Sequence, residues 1–186
     1  SRTWGVATSE VTTELRNRAK MVAYGLAYGM EAYGLAQRLD VPTDEASGIL
    51  EAYFEAFPGV RDYMDRSVDE ARQRGYTETL FGRRRPIPEL TSSNFNVRQA
   101  GERQAMNAPI QGLAADIFKV ALVGIDHGLS AAGLASRLVL QVHDEVLLEV
   151  EPTELDQVTE LVRATMGGAF DLRVELAVQL ATGATW

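Results

Sequence analysis

Arg16, Lys20, Tyr24 and Tyr28 recur every four positions near the start of the chain. On a helix, four residues advance 400°, so each member lies 40° round from the last and the row spans about 120° over roughly 18 Å. Two cations at one end and two aromatic rings along the same face suit a ligand with a polyanion and a flat ring. Guanidinium and ammonium groups meet phosphate oxygens, and rings stack on sugar and base. A nucleoside triphosphate has both parts. The competing reading is an amphipathic helix that buries its tyrosines and lets its bases snorkel. Gly25 and Gly29 weigh towards the ligand, because a glycine inside a helix costs roughly 1 kcal/mol and marks close approach of a partner.

A second group follows Gly82: Arg83, Arg84 and Arg85 in succession, then Arg98 and Arg103. Guanidinium groups clustered at a turn match phosphate oxygens, and a solvated basic turn accounts for them equally well. Asn107 and Gln111 continue the spacing from Arg103. Neutral donors and acceptors of this kind can test base edges in a minor groove, where acceptor positions are shared by all pairs. Asn107 serves equally well as a cap to a helix that breaks at Pro109.

The third group is His143, Asp144 and Glu145, set between two apolar runs. A type I′ hairpin turn prefers Asn-Gly, and like charges side by side repel. A bound Mg²⁺ removes that repulsion, since hard cations take carboxylate oxygen. An exposed acidic turn is the plain alternative.

These groups need elements to position them. The pattern is helical from Thr12 to Leu39, with Thr12 or Thr13 as N-cap and Gly29 and Gly34 as breaks. Thr43 to Phe57 reads as a helix capped at Thr43 and stopped by Pro58, and Val60 to Arg74 as another ended by Gly75. Tyr76 to Phe81, followed by the arginines, fits a short hairpin. Asn94 to Asn107 and Ile110 to Ala132 are helical, with a break at Pro109 between them. Arg137–Val142 and Glu145–Val150 are strand-like, Pro152 to Met166 is a helix, and Leu172 to Leu180 is a strand. Helices followed by a small antiparallel sheet with a packed helix make an α+β chain.

Composition narrows the classes. The 186 residues contain no cysteine and only two histidines, His127 and His143. That excludes a disulfide scaffold, a thiol nucleophile and cysteine- or histidine-rich metal centres, and it fits a cytoplasmic chain. No apolar run approaches the ~18 residues of a membrane helix, and no export signal opens the chain. The net charge of −8 conceals an asymmetry: residues 1–104 carry 14 basic against 15 acidic groups, residues 105–186 only 4 against 11. The bases are concentrated in the first half. Acidity in the second half either repels phosphates or surrounds a divalent-cation site.

Together the segments resemble the C-terminal part of the family A DNA polymerases, the bacterial DNA polymerase I type. Arg16-x-x-x-Lys20-x-x-x-Tyr24-Gly25-x-x-Tyr28-Gly29 is similar to the family's motif B. Tyr76-x-Glu78-Thr79-Leu80-Phe81-Gly82-Arg83-Arg84-Arg85 and Arg103-x-x-x-Asn107-x-Pro109-x-Gln111-Gly112 resemble two further stretches, the latter continuing to Asp116. Val142-His143-Asp144-Glu145 resembles motif C, the palm hairpin.

The resemblance implies a helical fingers subdomain over residues 1–136 and a partial palm over 137–186. It implies Arg16 and Lys20 on the triphosphate, Tyr24 against the sugar of the incoming nucleotide and Tyr28 near the templating base. Arg103, Asn107 and Gln111 then contact the primer–template minor groove. Arg83, Arg84, Arg85 and Arg98 fall on backbone phosphates, and His143 near the primer terminus. Asp144 becomes a ligand of a catalytic Mg²⁺ pair, with Glu145 beside it. The implied function is template-directed DNA synthesis from dNTPs in replication and repair, by a cytoplasmic, nucleoid-associated enzyme with no membrane partner. Motif A, the strand with the other metal-binding Asp, is not among these residues, nor are the thumb and any exonuclease domain. Asn17 stands beside Arg16 at a position often basic in the family. The chain therefore reads as part of a longer polymerase and as inactive by itself. The rival readings are a non-catalytic nucleotide- or DNA-binding fragment, a relative of the single-subunit RNA polymerases, and a structural module without ligand.

Overall fold

In the computed structural model, which describes residues 4–27 and 29–185, helix α1 (Thr13–Ala27) starts where Thr12 Oγ1 accepts the Leu15 N–H at 3.2 Å. That is the expected N-cap, satisfying one of the helix's orphan donors. Beyond α1, Gly29 takes a left-handed φ of 66°, and α2 (Ala32–Leu39) follows. Gly34, expected as a second break, lies inside α2 instead. Leu35, Ala36 and Leu39 of that helix are buried, and burying such side chains, about 1.5–3 kcal/mol for each leucine, exceeds the cost of one glycine.

Helix α3 (Thr43–Ala56) begins at Thr43, but the N-cap position belongs to Pro42 and no side chain caps it. Asp44 and Glu45 support the helix from its first turn, where negative charge meets the positive end of the dipole. Pro58 opens α4 (Pro58–Arg74) after the single intervening residue Phe57. A proline tolerates a first helical position because the N–H it lacks would be unpaired there. Gly75, with φ 78°, ends α4 as expected. Val22, Leu26, Leu35, Ala36, Leu39 and Ala46 form the core beneath α1, α2 and α3.

Strands β1 (Tyr76–Glu78) and β2 (Arg84–Pro86) pair antiparallel, with Glu78 opposite Arg84. Thr79 ends β1 early, because its Oγ1 accepts the N–H groups of Phe81 and Arg83 at 3.3 Å each and so folds the chain into the turn. Val68 and Ala71 of α4 share a second core with Ile87, Leu90 and Ala105.

Helix α5 (Phe95–Ala131) is capped by Asn94, whose Oδ1 accepts the N–H of Asn96 at 3.0 Å and of Val97 at 3.4 Å. It does not break at Pro109. The proline forfeits one helical hydrogen bond, at a cost of about 3 kcal/mol, and packing on both sides holds the helix through it. Ala105 and Ala108 are buried before it, Ala121, Ile125 and Leu129 after it. By length and composition α5 is also apolar enough to cross a membrane, with an 18-residue window of mean hydropathy 1.5. That corrects the expectation that no such run exists. The apolar residues Ile125 and Leu129 are buried in a protein core.

The chain divides into two compact units, Ser1–Gly112 and Leu113–Trp186, and α5 contributes to both. In the second, β3 (Arg137–Val142) and β4 (Glu145–Glu149) pair antiparallel with an irregularity between Leu138 and Leu140. After a 3₁₀ turn at Pro152–Glu154 comes α6 (Leu155–Gly167), whose Val158 and Val162 pack with Ile125 and Leu129. Leu172 to Leu180, expected as a strand, forms none. Alternation alone does not make a strand without a hydrogen-bonded neighbour, and β3 and β4 form a two-stranded sheet with each other. Helices with two small antiparallel sheets give the α+β class expected.

Candidate nucleotide and nucleic-acid interface

The period of α1 separates its faces. Val22 and Leu26 are buried, while Arg16, Lys20 and Tyr24 are exposed on the opposite side, Tyr24 at 62%. The alternative in which this helix buries its tyrosines therefore fails for Tyr24. Tyr28 lies outside the described residues. Arg18 is paired with Glu14 at 3.2 Å, whereas among the described residues neither Arg16 nor Lys20 makes an ion pair. The two glycines have a different explanation from the one expected. A Cβ on Gly25 would lie 3.1 Å from Met30 Sδ, and one on Gly29 would lie 2.4 Å from Arg103 Cγ. The close approach is made by the chain's own side chains.

The basic turn is exposed but held. Arg84 Nε donates to Glu78 Oε2 at 2.8 Å and its guanidinium lies 4.8 Å from the Tyr76 ring centre. The hydrogen bond and charge of Glu78 raise the Arg84 pKa further above its ordinary value. Arg85 Nη2 donates to Gln104 Oε1 at 3.1 Å on α5. Arg98 Nη1 donates to the Ser92 carbonyl at 3.0 Å and stands over the Phe95 ring. Each guanidinium carries five N–H donors, so these bonds orient Arg84, Arg85 and Arg98 without exhausting them. Arg83 is exposed beside them and engaged in a contact of its own.

Along α5, Arg103 and Asn107 are half-buried and Gln111 is exposed. Because the helix runs through Pro109, Asn107 is not a cap, and the structural alternative for it falls away. Thr79 Cγ2 would lie 2.6 Å from a Cβ at Gly112, so the hairpin turn reaches α5 only because that position has no side chain. Gln99 and Gln104 are residues that sequence reasoning missed, and Thr79 entered it only as part of a motif without a role. Gln99 precedes Arg103 by one helical turn, and the four-residue period was the signal that could have found it.

The acidic turn is as tight as expected. His143 and Asp144 are the two residues between Val142 and Glu145, which face each other across the ladder. His143 adopts φ 54°, and its carbonyl accepts Gln141 Nε2 at 2.8 Å. His143, Asp144 and Glu145 are all exposed. Among the described residues no group of three or more His, Cys, Asp or Glu is placed to hold a metal. Two exposed carboxylates nevertheless fit Mg²⁺, which is held through one or two carboxylates with waters and phosphates completing the shell. A concavity of about 250 Å³ near α4 and β1, lined by Tyr63, Arg66 and Glu70 among others, includes none of the expected site residues.

Motif B on a solvent-facing helix, a basic hairpin braced on α5 and a His-Asp turn coincide with a match of residues 1–186 to the model of DNA polymerase family A. The chain belongs to that family. It is 55% identical over 186 residues to the DNA polymerase I of Mycobacterium tuberculosis (strain ATCC 25618 / H37Rv), covering 100% of this chain and 21% of that protein. It is 49% identical over 181 residues to the DNA polymerase I of Bacillus caldotenax, covering 97% of this chain and 21% of the relative. Among solved structures it is similar to the POL domain of Pol1 from M. smegmatis in complex with DNA primer-template and dNTP. That likeness has a TM-score of 0.93 at 55% identity and covers 95% of this chain and 31% of the other. The chain thus spans about a fifth of the length of these polymerases.

Proposed function

We propose that the chain is the fingers, residues 1–136, and part of the palm, residues 137–186, of a longer DNA polymerase that extends a primer on a template. The observation that carries this reading is the exposed row Arg16, Lys20 and Tyr24 on α1, its two cations without an ion pair among the described residues. The M. smegmatis structure, described as a complex with primer-template and dNTP, supports it from outside the chain. Arg16 and Lys20 bind the triphosphate and neutralise the charge left on pyrophosphate as it departs. Tyr24 lies on the sugar of the incoming nucleotide and Tyr28 near the templating base. Arg103, Asn107 and Gln111 read the minor groove, where acceptors are common to all base pairs. Arg83, Arg84, Arg85 and Arg98 hold backbone phosphates and fix register. His143 meets the primer terminus, and Asp144 with Glu145 holds Mg²⁺. When bound, a pair of such ions stabilises the attacking primer 3′-oxygen and the leaving oxygen. A DNA substrate places the polymerase at the nucleoid.

Asp144→Ala in the complete polymerase tests this. Primer extension should be lost while primer–template binding persists, and retained extension would overturn the assignment. For the 186 residues alone, binding without catalysis is the second reading. It is favoured by an acidic turn that offers two adjacent carboxylates from one hairpin, whereas a two-ion site takes ligands from two strands.

A further inference from the structure

Helix α5 grips the turn between α1 and α2 at two points one helical turn apart. Gln99 Nε2 donates to Glu31 Oε1 at 2.7 Å, and Glu31 is the N-cap residue of α2. Four residues on, the Arg103 side chain lies on Gly29, where a Cβ would stand 2.4 Å from its Cγ and 3.0 Å from its Cβ and Cδ. The end of α1 is itself closed tightly. Gly29 N–H reaches the Leu26 carbonyl and Met30 N–H the Gly25 carbonyl, both at 2.8 Å, with Gly29 in the left-handed conformation. This is a Schellman closure, which locks the last turn of the helix to the residue just past it. A displacement of Gly29 therefore moves the C-terminal end of α1, where Tyr24 sits one turn away. Asn107 and Gln111 continue the row Gln99, Arg103 down α5.

We propose that Gln99 and the aliphatic stem of Arg103 are positioning residues that couple the DNA-reading row of α5 to the nucleotide-binding helix α1. The inference rests on the polymerase reading above and adds a division within Arg103. Its guanidinium meets DNA, and its stem, seated on Gly29, holds the end of α1. A strand bound along Asn107 and Gln111 then fixes the same helical face that fixes α1, so template occupancy raises the affinity for dNTP.

The test uses steady-state kinetics and primer–template binding with the complete polymerase carrying this chain. Glu31→Ala and Gln99→Leu each remove one hydrogen bond, and each should raise KM for dNTP about 3- to 10-fold, the net worth of such a bond. Neither kcat nor the Kd for primer–template should change, and Glu31→Gln, which keeps an acceptor, should restore KM. Gly29→Ala, which places a methyl group where the Arg103 stem lies, should raise KM in the same way. Arg103→Met, which keeps a stem but no guanidinium, should weaken DNA binding while leaving KM for dNTP at saturating DNA unchanged. An unchanged KM in Glu31→Ala, Gln99→Leu and Gly29→Ala would overturn the coupling. So would a parallel loss of kcat, DNA affinity and thermal stability, the mark of a merely structural contact. A wild-type polymerase that extends no primer would overturn the polymerase reading and this inference with it.

Discussion

Arg18 stands between Arg16 and Lys20 in the chain, yet the helix turns it to Glu14 at 3.2 Å and leaves its neighbours to solvent. An exposed pair such as Arg18–Glu14 is worth little, whereas a cation that meets a phosphate at an interface gains a charge-assisted hydrogen bond. Lys20→Ala in the complete polymerase should therefore cost about 1.5–3 kcal/mol in dNTP affinity, and the wild-type affinity should fall as salt rises. Titration of dNTP into both proteins checks this, and equal affinities would remove Lys20 from the triphosphate. Tyr24 carries a second expectation. Its phenolic OH can supply a polar contact that a nucleotide lacking its 3′-hydroxyl has lost, so the wild type should incorporate 2′,3′-dideoxynucleotides more readily than Tyr24→Phe. Chain-termination ratios compare the two, and equal ratios would count against it. Residue spacing was a good guide here because the helical period alone decides which side chains share a face. It misled for Gly25 and Gly29, since the atom that approaches a glycine is set by tertiary packing, and here Met30 and Arg103 fill the space given to a ligand.

Elements were legible where local signals and packing agree. Thr12, Asn94, Gly75 and the two-residue turn at His143 and Asp144 are local devices, and the structure uses each. Pro109 and Leu172 to Leu180 show the opposite case. The proline is overruled by packing along α5, and the alternating run lacks a ladder. Pro109→Ala should restore an N–H to the helix and stabilise the protein by about 1–3 kcal/mol, read from the urea midpoint at unchanged m-value. The junction into β3 has its own device. Glu154 accepts from Ser136 Oγ at 2.6 Å and from the N–H groups of Ser136 and Ala135 at 2.9 Å each. The Ser136 hydroxyl first, then the Ala135 and Ser136 N–H groups, hold the Glu154 carboxyl below its ordinary value of 4.5. A depressed folded-state pKa contributes stability that is present above the unfolded value and lost as pH falls through the lowered one. Wild-type stability should therefore fall faster than that of Glu154→Gln as pH drops below about 4.5. Denaturation midpoints from pH 6 to 3 measure the difference, and parallel curves would show that the carboxylate is not held in this way.

At the scale of the whole molecule, the charge asymmetry matches the two kinds of work proposed. Eight of the 14 bases of the first half lie on α1, the hairpin and α5, and the acidic second half carries Asp144 and Glu145. The family was legible because four separated motifs occur in order, although no single one decides it. The proposed metal site draws on only one hairpin of these residues, because a two-ion site takes ligands from elements distant in sequence. Asp144 and Glu145 offer carboxylates from one hairpin, and two-metal chemistry needs ions roughly 3.5–4 Å apart, bridged by carboxylates. One ion held at this turn should bind loosely and keep most of its water. Strand β3 also leaves Val139 and Leu140 about half exposed, and Val174 further along is 70% exposed. Uncovered apolar surface promotes association. The 186 residues expressed alone should therefore extend no primer, and should associate or unfold more readily than the complete polymerase. A primer-extension assay with Mg²⁺ and all four dNTPs decides the first point, with Asp144→Ala as the control for a contaminating polymerase, and sedimentation decides the second. Template-directed extension that disappears in Asp144→Ala would mean that the second set of metal ligands lies within these residues. In that case the acidic second half, and not a strand from elsewhere in a longer polymerase, would complete the site.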